Sequence, residues 1–149
     1  MSWLSADDIK YAILQRGDTM CLNAFKGVYS VDTLPSYVQP PAFYVINTDA
    51  HNLPGKHWKV LFIDEDLVGE IFDSFALPVS DQTIRFMNAH SRKWTMNRIS
   101  IQHPLSSKCG AYAVYYITKR LTYSSLSEFC KTFSFNLLEN ERRISEFIQ

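Results

Sequence analysis

Apolar residues recur at two different spacings along the chain. Between Ser5 and Gly17, Ile9, Ala12 and Ile13 form a stripe at three- and four-residue intervals, the pattern of one buried helix face. Ser5 followed by Asp8 makes a capping box, and Gly17 stands where a helix would stop, so the spacing predicts a helix over 6–16. The stretch TLPSYVQPP, Thr33 to Pro41, carries three prolines and is expected to be a loop. AFYVIN then reads as a short buried strand ending at Asn47. TDAHNLPGK is a second loop, with a turn at Pro54-Gly55. In HWKVLFID the period changes to two. Trp58, Val60 and Phe62 share one face, and His57, Lys59 and Leu61 share the other. EDLVG is a turn, and EIFDSF is the next strand, paired with the previous one as a hairpin.

Beyond the hairpin the helical period returns. Ser80 caps a helix expected to run to about His90, with Ile84 and Met87 as its apolar face. MNRISIQ has the alternation of a strand. Cys109 to about Leu121 reads as a buried helix, and two shorter helices are expected around 126–132 and 138–148. The sum is an α+β fold: a central mixed or antiparallel sheet packed against helices. No linker divides residues 1–149, so one domain is expected.

Composition narrows the function classes. The formal net charge is zero, which argues against a polybasic nucleic-acid binder. The pairs Arg92-Lys93 and Arg142-Arg143 read as solvated surface. Cys21, Cys109 and Cys130 are an odd set without a CxxC pair, so neither a disulfide framework nor a structural zinc site is expected. A reducing, intracellular setting fits that usage. The opening residues lack the basic and apolar regions of a secretory leader, and no apolar run is long enough to span a bilayer. A monomer that needs no cofactor is the expectation.

Four residues carry candidate chemistry. His57 begins a strand, Asp73 ends the next, Gln102 ends a later one, and Cys109 starts a helix. Strand ends pointing at one helix N-terminus would gather them at one edge of the sheet. A cysteine thiolate can attack a carbonyl while a histidine moves the proton. An acid behind the histidine fixes its tautomer, and a side-chain amide can donate to the developing oxyanion. Free amides and the dipole at a helix start stabilise a thiolate. Gly110 removes a side chain where a substrate backbone would approach. Taken singly, each residue has a plainer role: a packed thiol, an edge histidine, a turn-capping aspartate, an uninformative glutamine.

The segments GVYSVDTLP, VINTDAHNLPGKHWKVLFID, GEIFDSFALP and ISIQHPLSSKCGAYAVYYI resemble the adenovirus-type cysteine proteases, a viral and transposon-encoded family related to the SUMO-deconjugating proteases. The resemblance covers about ninety residues, roughly Gly27 to Ile117. It implies a papain-like order of His, acid, Gln and Cys, with the cysteine at a helix N-terminus. It makes His57 the general base, Asp73 its orienting acid, Gln102 the oxyanion donor and Cys109 the nucleophile. It places Trp58 beside the histidine, where it is either a wall of the substrate cleft or packed in the core on the sheet, and Asn47 in the segment leading to it. The family cuts after small residues, commonly glycine. The chain departs from the adenoviral pattern at Asp73, where those enzymes carry glutamate, and at Ala76, where they carry glycine.

The function implied is a thiol endopeptidase that matures viral or transposon-encoded structural proteins, acting in the virion and in the host nucleus or cytoplasm. An activating viral peptide and DNA come with the resemblance as partners; the neutral charge argues against a strong DNA interaction. The alternatives are an isopeptidase for ubiquitin-like modifiers, an acyltransferase, and a non-catalytic interaction domain of the same fold.

Overall fold

The structure is a computed structural model that describes residues 4–48 and 57–149; the expected turn at Pro54-Gly55 lies outside the described residues. Helix α1 (Ala6–Arg16) begins at a complete capping box between Ser5 and Asp8 and buries Ile9, Ala12 and Ile13. Helix α2 (Thr19–Ala24) and strand β1 (Phe25–Ser30) follow, neither assigned from the sequence. Gly27, at φ +129°, lies where the β1 register shifts, in a backbone region that suits only glycine. Strands β2 (Ala42–Asn47), β3 (Trp58–Ile63) and β4 (Val68–Phe72) form an antiparallel meander. Helix α3 (Asp81–His90) leads to β5 (Lys93–Met96), and α4 (Cys109–Lys119) runs into a short 3₁₀ turn (Arg120–Thr122). Helices α5 (Leu126–Cys130) and α6 (Leu137–Ile148) complete the chain.

The five strands lie in the order β1-β2-β3-β4-β5. Both outer pairs are parallel, so the sheet is mixed. Its faces follow the period of two. Phe43, Val45, Trp58, Val60, Phe62 and Phe72 pack under α1 and α4. Tyr44, Ile46, Leu61, Ile63 and Ile71 pack against Phe86 and Met87 of α3. Helices on both faces explain why β2 and β3 are nearly continuous apolar runs.

Three sequence expectations are corrected. Helix α3 buries Thr83, Phe86 and Met87, while Ile84 is only half-buried, because the helix is rolled to drive Phe86 against Tyr44. Strand β4 starts at Val68 and ends at Phe72, so the turn is confined to the four residues from Asp64 to Leu67, with Leu67 at φ +63°. MNRISIQ is not a strand. Strand β5 stops at Met96 and the chain then leaves the sheet, because the Asn97 amide bonds the backbone of Asp73 and the amides of Ile101 and Gln102 turn to the Ser74 carbonyl.

One buried ion pair crosses the Trp58 face. Arg120 donates from Nε and Nη2 to both oxygens of Glu70, and Tyr116 donates its hydroxyl to the same carboxylate. Both charged residues are almost wholly buried. Removing one partner strands the other charge. Arg120→Met is expected to cost about 3–5 kcal/mol in urea unfolding, whereas the double change Arg120→Met, Glu70→Leu recovers much of that loss.

Candidate active site

Strand β3, the exit of β4 and the start of α4 converge at one end of the sheet. His57 precedes β3, Asp73 follows β4, and Cys109 is the first residue of α4. Nε2 of His57 lies 2.8 Å from Oδ1 of Asp73. His57 also shares a hydrogen bond with Cys109, for which the other ring nitrogen, Nδ1, remains. The imidazole thus lies between acid and thiol. Phe75 covers it, ring centroid to ring centroid 5.4 Å.

Asp73 is fully buried. Its Oδ1 also accepts from the Phe75 amide at 2.9 Å, and its Oδ2 from the Leu77 amide at 3.0 Å. Lys59 Nζ stands 3.3 Å from Oδ2 and donates to the Pro78 carbonyl. The turn that supplies the two amides is closed by the Ala76 amide to the Asp73 carbonyl, with Ala76 at φ +54°. That left-handed conformation is one that glycine adopts without strain and that alanine adopts at a cost. Asn97 grips the Asp73 backbone on both sides, accepting from its N–H at 2.9 Å and donating to its carbonyl at 2.6 Å.

Burial draws the His57 imidazole down. Its hydrogen bonds to Asp73 and Cys109, with its electrostatic interactions with both, outweigh that and push it up to about 9. Burial pushes Asp73 up, but the His57 hydrogen bond and charge, Lys59 and the Phe75 amide hold it below the usual carboxylate range. At neutral pH the His57–Asp73 pair is therefore imidazolium and carboxylate. A thiolate with an acid at hand can attack an acyl carbon and protonate what leaves.

Gln102 is fully buried, not at a strand end but in the irregular return from β5. Its Oε1 accepts from the Ser74 hydroxyl, which fixes the amide's orientation. Its Nε2 donates to the hydroxyl of Ser106 at 2.9 Å and to the carbonyl of Ser106 at 3.3 Å. The Lys108 amide meets the same Ser106 hydroxyl at 3.1 Å. Two donors from the stretch just before Cys109 therefore converge on one oxygen. The Gln102 amide has work in the resting protein as well as any it does in a reaction.

The expected substrate contacts fare unequally. Asn47 ends β2 half-buried, opposite Trp58 in the register. Trp58 is 3% exposed and donates its indole N–H to the Leu4 carbonyl. Gly110 is buried as well. A Cβ there would come within 3.1 Å of Leu4, 3.2 Å of Trp58 and 3.3 Å of Ile9. Gly110 lets α4 close on α1 and β3, so the space it frees is filled by the protein and not open to a substrate. Lys59, Ser74, Asn97 and Ser106 were not singled out from the sequence. Lys59 alone left a signal: a lysine inside an apolar strand requires a buried partner. Among the described residues no group of three or more His, Cys, Asp or Glu is placed to hold a metal ion. No helix among them is long and apolar enough to cross a membrane.

The architecture is that of a cysteine-protease fold, and the comparisons are consistent with it. No protein-family model matches the chain. Over 100 residues, 59% of the chain, it is 32% identical to a cysteine protease of African swine fever virus, and the match spans 37% of that relative's length. The crystal structure of the African swine fever virus pS273R protease superposes on 99% of the chain and 66% of its own with a TM-score of 0.67 at 17% identity. ChlaDub1 from Chlamydia trachomatis shares the fold over 99% of the chain and 79% of its own, with a TM-score of 0.56 at 12% identity.

Two measurements check the electrostatics. Brief iodoacetamide treatment near pH 7 is expected to label Cys109 well ahead of Cys21 and Cys130, whose thiols burial pushes up to about 11; mass spectrometry of the digest reads the order. Because folding raises the His57 value from 6.5 to about 9, its contribution to stability is complete below pH 6.5 and disappears as pH rises through 9. Thermal melts of the wild type and His57→Gln should converge over that interval, and parallel curves would refute the assignment.

Proposed function

We propose that the chain is a thiol endopeptidase with Cys109 as nucleophile, His57 as general acid and base, Asp73 as the orienting acid and Gln102 as oxyanion donor. The observation that carries this reading is the single imidazole bonded to a buried carboxylate on one side and to a helix-start thiol on the other. In acylation the Cys109 sulfur forms a bond to the peptide carbonyl carbon. The oxyanion is met by the Gln102 amide and the backbone N–H at the start of α4. The tetrahedral intermediate then breaks its C–N bond, and His57 gives its proton to the leaving amine. Water, deprotonated by His57, cleaves the thioester and restores the thiol. No metal or cofactor enters these steps.

The substrate proposed is a polypeptide with a small residue, commonly glycine, before the cut, in precursors of viral or transposon-encoded particles. The sequence similarity to a viral cysteine protease supports the peptidase class and the viral setting, and the small residue follows from the resemblance in sequence. The setting proposed is the virion and the interior of the infected cell, with the protein acting as a monomer, and a viral peptide is the candidate activator. A glycine-ended ubiquitin-like vinyl probe tests the rival isopeptidase reading: capture of that probe without cleavage of peptides containing Gly-Gly would replace endopeptidase by isopeptidase. Absence of both activities in a folded wild type would leave an interaction domain.

Gln102→Ala is expected to lower kcat on order of 100- to 1000-fold with little change in KM. It also removes the acceptor of the Ser74 hydroxyl, which costs about 1 kcal/mol of stability. Cys109 should still react with iodoacetamide, since alkylation builds no oxyanion. Normal turnover in this variant would reduce Gln102 to a structural role.

A further inference from the structure

A lysine ammonium is rarely buried, and Lys59 is 4% exposed. Its position follows from the strand. His57 and Lys59 are two residues apart, so they share one face at the start of β3. Both therefore address the carboxylate that follows the adjacent β4. His57 Nε2 takes Oδ1 at 2.8 Å, and Lys59 Nζ approaches Oδ2 to 3.3 Å while donating to the Pro78 carbonyl at 3.1 Å. The Pro78 carbonyl anchors the ammonium on the far side of Asp73, at the end of the same loop whose Phe75 and Leu77 amides hold the carboxylate.

We propose that Lys59 is a positioning residue of this site: its ammonium holds Oδ2 of Asp73 so that Oδ1 faces His57, and its charge tempers the pull of the carboxylate on the imidazole. The reading deepens the thiol-protease proposal and rests on it for its catalytic meaning. An imidazole paired with an unshared buried carboxylate would hold its proton too tightly to release it to a leaving amine. A second cation on that carboxylate weakens the hold while keeping the acid ionised and unable to rotate. Asp73 faces His57 and Lys59, both from the β3 side. His57 faces Asp73 and, from α4, Cys109.

The test follows the titration of the assigned His57 ring by NMR in the wild type, Lys59→Met and Lys59→Gln, with His57→Gln to confirm the assignment. Loss of the positive charge is expected to raise the His57 midpoint by about one pH unit in both variants. Lys59→Gln keeps a donor for Asp73 and the Pro78 carbonyl but not the charge, so its kcat should fall, though less than that of Lys59→Met. Lys59→Met should lose roughly ten-fold in kcat with KM little changed. Lys59→Gln carries the test if Lys59→Met does not fold. An unmoved midpoint in a folded variant overturns the proposal. Lack of Cys109-dependent cleavage by the wild type overturns the protease reading instead, and the titration still decides the role of Lys59.

Discussion

An ionised carboxylate removed from water must find all its solvation within the protein, and Asp73 is such a group. Two ring or ammonium donors and two backbone amides surround it. The geometry of this corner follows from that requirement. The loop after β4 has to coil tightly enough to aim the Phe75 and Leu77 amides inward, which puts Ala76 into the left-handed region. Strand β3 must present His57 and Lys59 on the same side. Strand β5 must end early so that Asn97 can hold the Asp73 backbone. The desolvation cost is large, and breaking any one partner exposes it.

The sheet makes this affordable by being rigid. Its central strands are buried on both faces, and α4 lies across β3 with no side chain at Gly110 to hold it away. The cysteine is thereby fixed at the end of a packed helix, where only rotamers can move it. The Glu70–Arg120–Tyr116 cluster lies within the same layer, joining β4 to the C-terminal end of α4. A helix held at both ends presents its first turn in one place, which is what a thiol bonded to a residue at the start of a distant strand requires.

Much of this was legible in the sequence because it rests on local patterns. The capping box at Ser5, the alternation from Trp58 to Phe62 and the apolar run after Cys109 each dictate an element with little help from distant contacts. The order His57, Asp73, Gln102, Cys109 came from a family resemblance, and the structure brings His57, Asp73 and Cys109 to one corner. Strand β1 was not, because its pairing depends on a bulge at Gly27 and on β2. The segment around Gln102 misled because Ile99 and Ile101 alternate as in a strand, while Asn97 and Ser74 offer its backbone bonds that the alternation does not register. Lys59 shows the same limit. A side chain's depth depends on which neighbour claims it, and that neighbour lies fourteen residues away.

The Ser74 carbonyl receives the amides of Ile101 and Gln102 and the hydroxyl of Ser100. One peptide group therefore fastens the loop of the acid to the loop of the amide donor. The intervening chain, from Val79 through α3 to β5, leaves that junction and returns to it as a closed excursion. The length of the excursion is free of the contacts at Ser74, whereas the six residues between Gln102 and Cys109 are spanned by Ser106 from both sides. An insertion into the excursion lengthens a loop that already closes on itself; an insertion into the short bridge pulls the amide away from the thiol. A lineage built on this scaffold has room to grow in the first place and almost none in the second.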